Sequence, residues 1–270
     1  MPAWQALIYG VVQGLAEFLP ISSSAHLTLL PWFFGWEDPG LAFDVALHWG
    51  TLVAVLLIFW RDWIRLISAG LFRRGSAQDA RVFWALVVSA VPGALIGKAL
   101  EHRAEESLRS PLLIAGTLAA LGVLLWVADY VGQKSRDLSQ MTLGRALAIG
   151  VAQAAALVPG VSRSGATISV GLLQHFNREQ IARFSFLMST PIIFGAGLVK
   201  LPHMIRDMRA GTGGVGWAAL AAGFFASAAV GAAVIRWMLA WLRTRTYFVF
   251  AAYRLALAGL VVVLWLSGKR

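Results

Sequence analysis

Two short stretches of this chain carry side chains of a kind that do chemistry. In "QGLAEFLPISSSAH", residues 13–26, Gln13 and Glu17 stand four residues apart and share one helix face. An amide and a carboxylate aimed at one point suit a hard divalent cation, which prefers oxygen ligands. Pro20 ends that helix, and Ser22 or Ser23 then stands where an N-cap belongs. His26 lies one turn into the next helix, on the side of Ser22 and Ser23, as a nucleophile, general acid or general base. The second stretch, "PGVSRSGAT" at 159–167, offers the opposite chemistry. Arg163 brings a planar fork suited to phosphate oxygens. Ser162, Ser164 and Thr167 supply hydroxyls, Gly160 and Gly165 let the backbone come close, and a helix N-terminus follows. One stretch holds acid, hydroxyls and imidazole; the other is an anion cradle. Brought together, they would grip a phosphorylated group and aim a hydroxyl or water at its phosphorus.

Plainer readings stand beside these. Ser22 is accounted for as a cap, and Ser24 and Ser164 as small residues between packed helices. Glu17 and Arg163 are different, because ionisable groups within apolar sequence are costly and mark functional sites by default. The plain alternative for them is a mutual ion pair. Asp44, Asp129 and Arg254 fall near the ends of apolar runs and read as snorkelling or interfacial anchors. His48, deeper in "FDVALHWGT", reads as a supporting residue behind the site. The membrane phosphatase pattern Ser-Arg-x5-His-x3-Asp does not fit: counted from Ser162, it requires His and Asp where the chain has Ser169 and Leu173.

The elements that must position these groups are membrane elements. Of 270 residues 59% are hydrophobic and only 13% charged, about half the share of roughly 25% in soluble domains. Mean hydropathy is +0.71. The net charge of +10 comes from cations scattered between apolar runs, which argues for membrane orientation and against nucleic acid. There is no cysteine, hence no disulfide framework or thiolate metal site. The first residues lack a basic region, so no cleavable signal is expected. A hydrocarbon core of about 30 Å needs roughly 20 helical residues. Six runs qualify or nearly do: 41–60, 82–100, 111–131, 184–201, 217–238 and 247–266. Residues 3–35 and 145–177 are instead broken, by Pro20 with its serines and by "PGVSRSG", into pieces too short to cross. Both are expected to be re-entrant helix–loop–helix hairpins, whose irregular backbone must be protein-buried or line a wet cavity.

With 61–81 on the cytoplasmic side, the inner segments carry twelve Lys/Arg. The outer ones carry seven: Arg103, Arg109, Lys200, Arg206, Arg209, Lys269 and Arg270. The bias is moderate and places both termini, and the mouth of the site, outside. Shifting the chain by 140 residues aligns Gly10 with Gly150, Gln13 with Gln153, Ser22 with Ser162 and Ser24 with Ser164. "ALIGKAL" and "AAVIRWM" correspond with a slipped offset, each with one cation, Lys98 or Arg236. One hairpin plus three spans per half is an odd number of crossings, so the halves would be inverted. The expected architecture is an all-α polytopic membrane protein with one integral domain over 1–270. It would have six transmembrane helices, two re-entrant hairpins and repeat halves of about 1–133 and 141–270.

Inverted repeats with broken helices are also transporter architecture, which leaves a secondary transporter or lipid flippase as the alternative. Against it stands the asymmetry of the two breaks. The counterparts of Glu17 and His26 are Leu157 and Ala166.

"QGLAEFLPISSSAH", "FDVALHWGTLVAVLLIFWRDW", "LVPGVSRSGATISVGLL" and "RFSFLMSTPIIFGAG" together resemble the bacterial undecaprenyl-pyrophosphate phosphatase family, also called bacitracin-resistance protein, over nearly the whole chain. The resemblance implies a multi-pass phosphatase of the bacterial plasma membrane. It would convert undecaprenyl diphosphate, and shorter polyprenyl diphosphates, to the monophosphate and inorganic phosphate for cell-wall synthesis, with a divalent metal, Mg²⁺ or Ca²⁺. The family's acidic motif falls on Gln13 and Glu17, its serine–histidine stretch on Ser22, Ser23 and His26, and its phosphate-binding arginine on Arg163. Gln13 is an accepted variant that leaves one carboxylate fewer, and Ser24-Ala25 replaces a frequent Thr-Gly. Whether Ser23, His26 or water attacks is left open.

Overall fold

The computed structural model describes residues 1–107, 110–209 and 215–268. Arg109, Lys269 and Arg270 lie outside the described residues, as do the side chains of Lys98, Glu101, Arg103, Glu105, Glu106 and Arg209. The described chain is helical: α1 (Ala3–Phe18), α2 (Ser23–Phe34), α3 (Leu41–Phe72), α4 (Ala77–Ser107), α5 (Pro111–Val131), α6 (Leu143–Ala154), α7 (Arg163–Leu173), α8 (Arg178–Arg209), α9 (Trp217–Trp241) and α10 (Phe248–Leu266). Two short 3₁₀ turns lie at Leu138–Gln140 and Ala155–Leu157.

Six of these helices contain a stretch long and apolar enough to cross a membrane: Ala42–Phe72, Ala77–Gly97, Pro111–Val131, Arg178–Lys200, Trp217–Trp241 and Phe248–Leu266. They match the six expected runs, with α3, α4 and α8 reaching further. At 32 residues α3 is about 48 Å long, well beyond a hydrocarbon core of about 30 Å. The basic segment after residue 60 is therefore largely helix. Backbone at Phe59 leaves helical geometry (φ −106, ψ 20), and charged groups follow it. Asp62 pairs with Arg65 (3.1 Å) and Arg183 (2.6 Å), and Arg65 with Asp79 (3.0 Å).

The two broken segments are built alike. α1 ends at Phe18 and α2 begins at Ser23; α6 ends at Ala154 and α7 begins at Arg163. Ser22 and Ser162 cap α2 and α7, accepting from Ala25 N (3.4 Å) and Gly165 N (3.0 Å). Both caps have positive φ, +77 and +68, an arrangement that costs an L-residue on the order of 1–3 kcal/mol and gathers at functional sites. Each pairs with the serine two residues on, at 3.2 Å for Ser24 and 3.3 Å for Ser164. At 16 residues α1 spans about 24 Å, and α2 and α6, at 12 each, about 18 Å.

Small residues let the broken segments pack closely. α1 lies along α9, with Gly10 against the Gly223 carbonyl, and α6 lies along α4, with Gly150 against the Ser89 carbonyl. α5 packs on α10 beside Gly122, and α3 packs on α8 and α9. The main core of buried aliphatic and aromatic side chains, among them Phe18, Phe59, Phe176, Phe184 and Phe186, fills the space between these helices.

Arg254 corrects a sequence expectation. It is neither near a helix end nor snorkelling. It is 0% exposed within α10. Its guanidinium donates to Leu118 O (3.1 Å), Pro20 O (3.1 Å) and Gly160 O (2.7 Å), with longer contacts to Thr117 O and Val161 O at 3.4 Å. One cation thus ties the backbone of both breaks to α5. Asp129, by contrast, sits at the end of α5 as an anchor should. It accepts from Arg178 Nε (2.6 Å) and Tyr247 N (2.9 Å), and Lys134 donates to its backbone carbonyl.

Candidate active site

The breaks meet. Pro20 terminates α1 so that Glu17, the last residue but one of that helix, faces the start of α7, where the Ser162 cap releases Arg163 into the first turn. Glu17 is 5% exposed. Its Oε1 accepts from Arg163 Nε (3.3 Å) and Nη2 (3.2 Å). Its Oε2 accepts from Gln13 Nε2 (3.0 Å) and Ser23 Oγ (2.9 Å). His48 Nε2 stands 3.6 Å from the same Oε2. The carboxylate accepts from one guanidinium, one hydroxyl and one amide, which explains how an acid is held among apolar helices. Arg163 gives its Nη1 to Ser185 O (2.7 Å). Three of its five N–H groups are committed, leaving one on each Nη for a ligand.

A cavity of about 340 Å³ opens beside this pair. Glu17, Ser23, Ser24, His48, Ser162 and Arg163 line it, with Gln153, Leu157 and residues of α4 and α8 forming further wall. Asp44, near the start of α3, and Lys200, at the end of the apolar stretch of α8, also line it. Most donors and acceptors of its floor come from the two breaks; its walls are mainly apolar, with Gln153, His48, Asp44 and Lys200 as the polar groups among them.

Not every expected residue faces this cavity. His26 turns to the other side of α2. Its Nδ1 donates to Ser22 O (2.7 Å), the carbonyl fixing that tautomer, and its Nε2 meets Tyr253 OH at 2.7 Å. The two rings stack at 5.7 Å and 8°. Thr167 Oγ1 is buried against Arg163 O (2.8 Å), Ser164 O (3.2 Å) and Ser185 Oγ (2.7 Å). Ser164 Oγ donates across the breaks to Leu19 O (3.2 Å). Ser22 and Ser162 are caps, and of the two only Ser162 lines the cavity. Sequence reading put His48 behind the site and left Arg254 out of it. The signal for Arg254 was present: an arginine seven residues into a 19-residue apolar helix.

A divalent cation can be tested against these donors. Among the described residues no three His, Cys, Asp or Glu side chains cluster as a metal cage. Gln13 is fully buried behind Glu17 and does not itself line the cavity, but it spends its Nε2 on Glu17 and leaves its Oε1 without a hydrogen-bond partner. An orphaned amide oxygen beside a carboxylate suits a cation that takes one or two protein oxygens and completes its shell with water and substrate phosphate, as Mg²⁺ does.

A family model described as bacitracin resistance protein BacA matches residues 6–260. The chain is similar to the undecaprenyl-diphosphatase of Moorella thermoacetica, 51% identical over 268 residues that cover 98% of this chain and 99% of that one. The undecaprenyl-diphosphatase of Desulforudis audaxviator is 47% identical over 264 residues, 98% of each chain. That of Pelotomaculum thermopropionicum is 46% identical over 270 residues, all of this chain and 99% of the other.

Proposed function

This chain belongs to the bacitracin resistance protein BacA family, and from that membership we propose that it is an undecaprenyl-diphosphate phosphatase. It hydrolyses undecaprenyl diphosphate to undecaprenyl phosphate and inorganic phosphate, returning the lipid carrier to cell-wall synthesis and so lowering sensitivity to bacitracin. The observation that carries this reading is the ion pair of Glu17 and Arg163 at 3.2 Å, on the floor of a cavity with Ser23 held against the same carboxylate.

That contact sets the chemistry. Ser23 Oγ–H already points its proton at Glu17 Oε2, so Glu17 takes the proton as Ser23 attacks the terminal phosphorus. The P–O bond to the inner phosphate breaks, and undecaprenyl phosphate leaves with the bonding pair. Glu17 gives that proton up to the departing phosphate, takes another from water as the water attacks the phosphoserine phosphorus, and returns it to Ser23 Oγ as the Oγ–P bond breaks and inorganic phosphate leaves. Arg163 places its two remaining N–H groups on the terminal phosphate, whose negative charge they offset throughout. His48 Nδ1 donates to Asp44 O (2.7 Å), which fixes the ring beside the carboxylate in the cavity wall. Gln13 Oε1 and Glu17 would hold Mg²⁺ or Ca²⁺ together with diphosphate oxygens. That cation, when bound, supplies charge neutralisation at the oxygens of the phosphoryl group.

The arrangement in the membrane is part of the same reading. α1, α2, α6 and α7 are too short to cross, and the two broken segments enter and leave by one side each, as inverted halves of about 1–133 and 141–270. The exchange of partners, α1 with α9 and α6 with α4, supports it, as do the twin caps Ser22 and Ser162. Asp44 and Lys200, which line the cavity, stand at the ends of the apolar stretches of α3 and α8 remote from the basic 61–74 segment. This supports a mouth on the extracytoplasmic face of a bacterial plasma membrane. The prenyl chain lies in lipid between helices, and shorter polyprenyl diphosphates fit because only the diphosphate meets polar groups.

The test is phosphate release by purified protein in detergent, with trapping of a phosphorylated Ser23. Ser23→Ala and Arg163→Ala should each lose about 10³-fold in turnover. Turnover near wild type in either variant would break the assignment, and acid-quenched enzyme without phosphoserine would replace Ser23 by water as the attacking group. The transporter alternative predicts lipid movement in liposomes without phosphate release.

A further inference from the structure

Gln153 precedes the second break as Gln13 precedes the first, 140 residues apart. Their surroundings differ in one respect. Gln13 gives its Nε2 to Glu17, four residues on. Four residues beyond Gln153 stands Leu157, which accepts nothing. Gln153 is 4% exposed, neither its Nε2 nor its Oε1 has a hydrogen-bond partner, and it lines the cavity. Gly93 of α4 keeps the space beside it clear, since a Cβ there would stand 3.2 Å from Gln153 Nε2. A buried amide that the protein matches at neither end works against folding, and such a group persists where a ligand completes it.

We propose that Gln153 is a substrate-contacting residue, a neutral donor that grips the diphosphate beside Arg163. Its Nε2–H₂ hydrogen-bonds a diphosphate oxygen, while Oε1 accepts from water carried in with the anion. An amide suits this place because it adds a donor without adding charge, and the anion already has the guanidinium. The contact is made before and during phosphoryl transfer alike, so it acts on binding more than on the chemical step. This rests on the diphosphatase reading, and the test separates the two.

Gln153→Met keeps the side chain's length and removes both polar atoms; Gln153→Glu keeps its shape and replaces the donor with a negative charge. Both would be purified in detergent beside wild type. Three quantities would be measured: the thermal midpoint, the KM and kcat for undecaprenyl diphosphate, and the Kd for inorganic pyrophosphate. For Gln153→Met we expect KM and the pyrophosphate Kd to rise about tenfold, kcat to stay within about threefold, and the midpoint to equal or exceed wild type. Gln153→Glu should raise both constants further. Unchanged KM and Kd in Gln153→Met overturn the proposal. So does a lowered midpoint or an unfolded Gln153→Met, since either means that the amide is satisfied within the protein. Wild-type protein that binds pyrophosphate more tightly than Gln153→Met yet releases no phosphate would refute the phosphatase and leave this contact standing.

Discussion

Arg254 offers the sharpest perturbation, because it touches no part of the cavity and yet holds both sides of it. Its three short hydrogen bonds, to Leu118 O, Pro20 O and Gly160 O, lie at 2.7 to 3.1 Å. Each bond from a charged donor is worth roughly 1.5–3 kcal/mol, so the set amounts to about 5–9 kcal/mol before any offset. Against it stands the desolvation of a fully buried guanidinium, several kcal/mol in real proteins. Arg254→Met therefore should destabilise the fold by about 3 kcal/mol rather than by the whole sum. The effect on rate is separate. Pro20 lies three residues from Ser23 and Gly160 three from Arg163, and the breaks lose one of the ties between them, the others being Ser164 to Leu19 O and Arg163 to Glu17. A displacement of about 1 Å between reacting groups costs on the order of 10²-fold, so turnover of Arg254→Met should fall by about that factor. Arg254→Lys retains the charge but has a compact ammonium in place of a fork. It cannot span three carbonyls on separate segments and should lose about tenfold. The assays are phosphate release and thermal unfolding followed by tryptophan fluorescence in the same detergent. If Arg254→Met melts with wild type and turns over within a factor of two, the tie between the breaks is not what positions the site. Should Arg254→Met fail to fold, Arg254→Lys gives the same reading on the rate.

Three further outcomes are expected. The His26–Tyr253 contact should show as a coupling of about 0.5–1.5 kcal/mol in a double-mutant stability cycle of His26→Ala and Tyr253→Phe. Strictly additive effects would mean the 2.7 Å contact carries no energy. Gly10→Ala and Gly150→Ala drive a methyl into the carbonyls of Gly223 and Ser89 and should each cost about 1–3 kcal/mol. Gly116→Ala, whose added carbon meets nothing within 4 Å, should be neutral or stabilising, and an equal loss at all three positions contradicts the packing account. Chelation should lower turnover by at least about 10²-fold, with recovery on adding Mg²⁺ or Ca²⁺. Because few protein oxygens hold the ion, the thermal midpoint without substrate should scarcely move; full activity in chelator removes the metal from the site.

Much of the site was legible because its parts are local. Gln13 and Glu17 share a face by helical spacing alone, Pro20 must stop α1, and Ser22 and Ser162 cap α2 and α7 through bonds spanning three residues. The six spans were legible for a similarly direct reason: an apolar run long enough at 1.5 Å per residue has few other places to go. Expectation and structure parted wherever a helix's rotation about its own axis mattered. Nothing local says whether His26 faces Ser23 or Tyr253, 227 residues away. Nothing local shows that His48 reaches Glu17, or that Thr167 turns its hydroxyl into the helix rather than towards a phosphate.

The sequence by itself determined the membrane character of this chain, the two interruptions, their caps and the two opposite charges they carry, because each depends on neighbours within a turn or on the thickness of lipid. Only the tertiary structure decided that Glu17 and Arg163 meet across 146 residues, that Arg254 is a buried clamp rather than an interfacial anchor, and that Gln153 is left unspent. Those outcomes depend on which helix faces are pressed together, and that is settled by the packing of small residues on partners far away in the chain, a sum over many weak contacts that no single stretch contains.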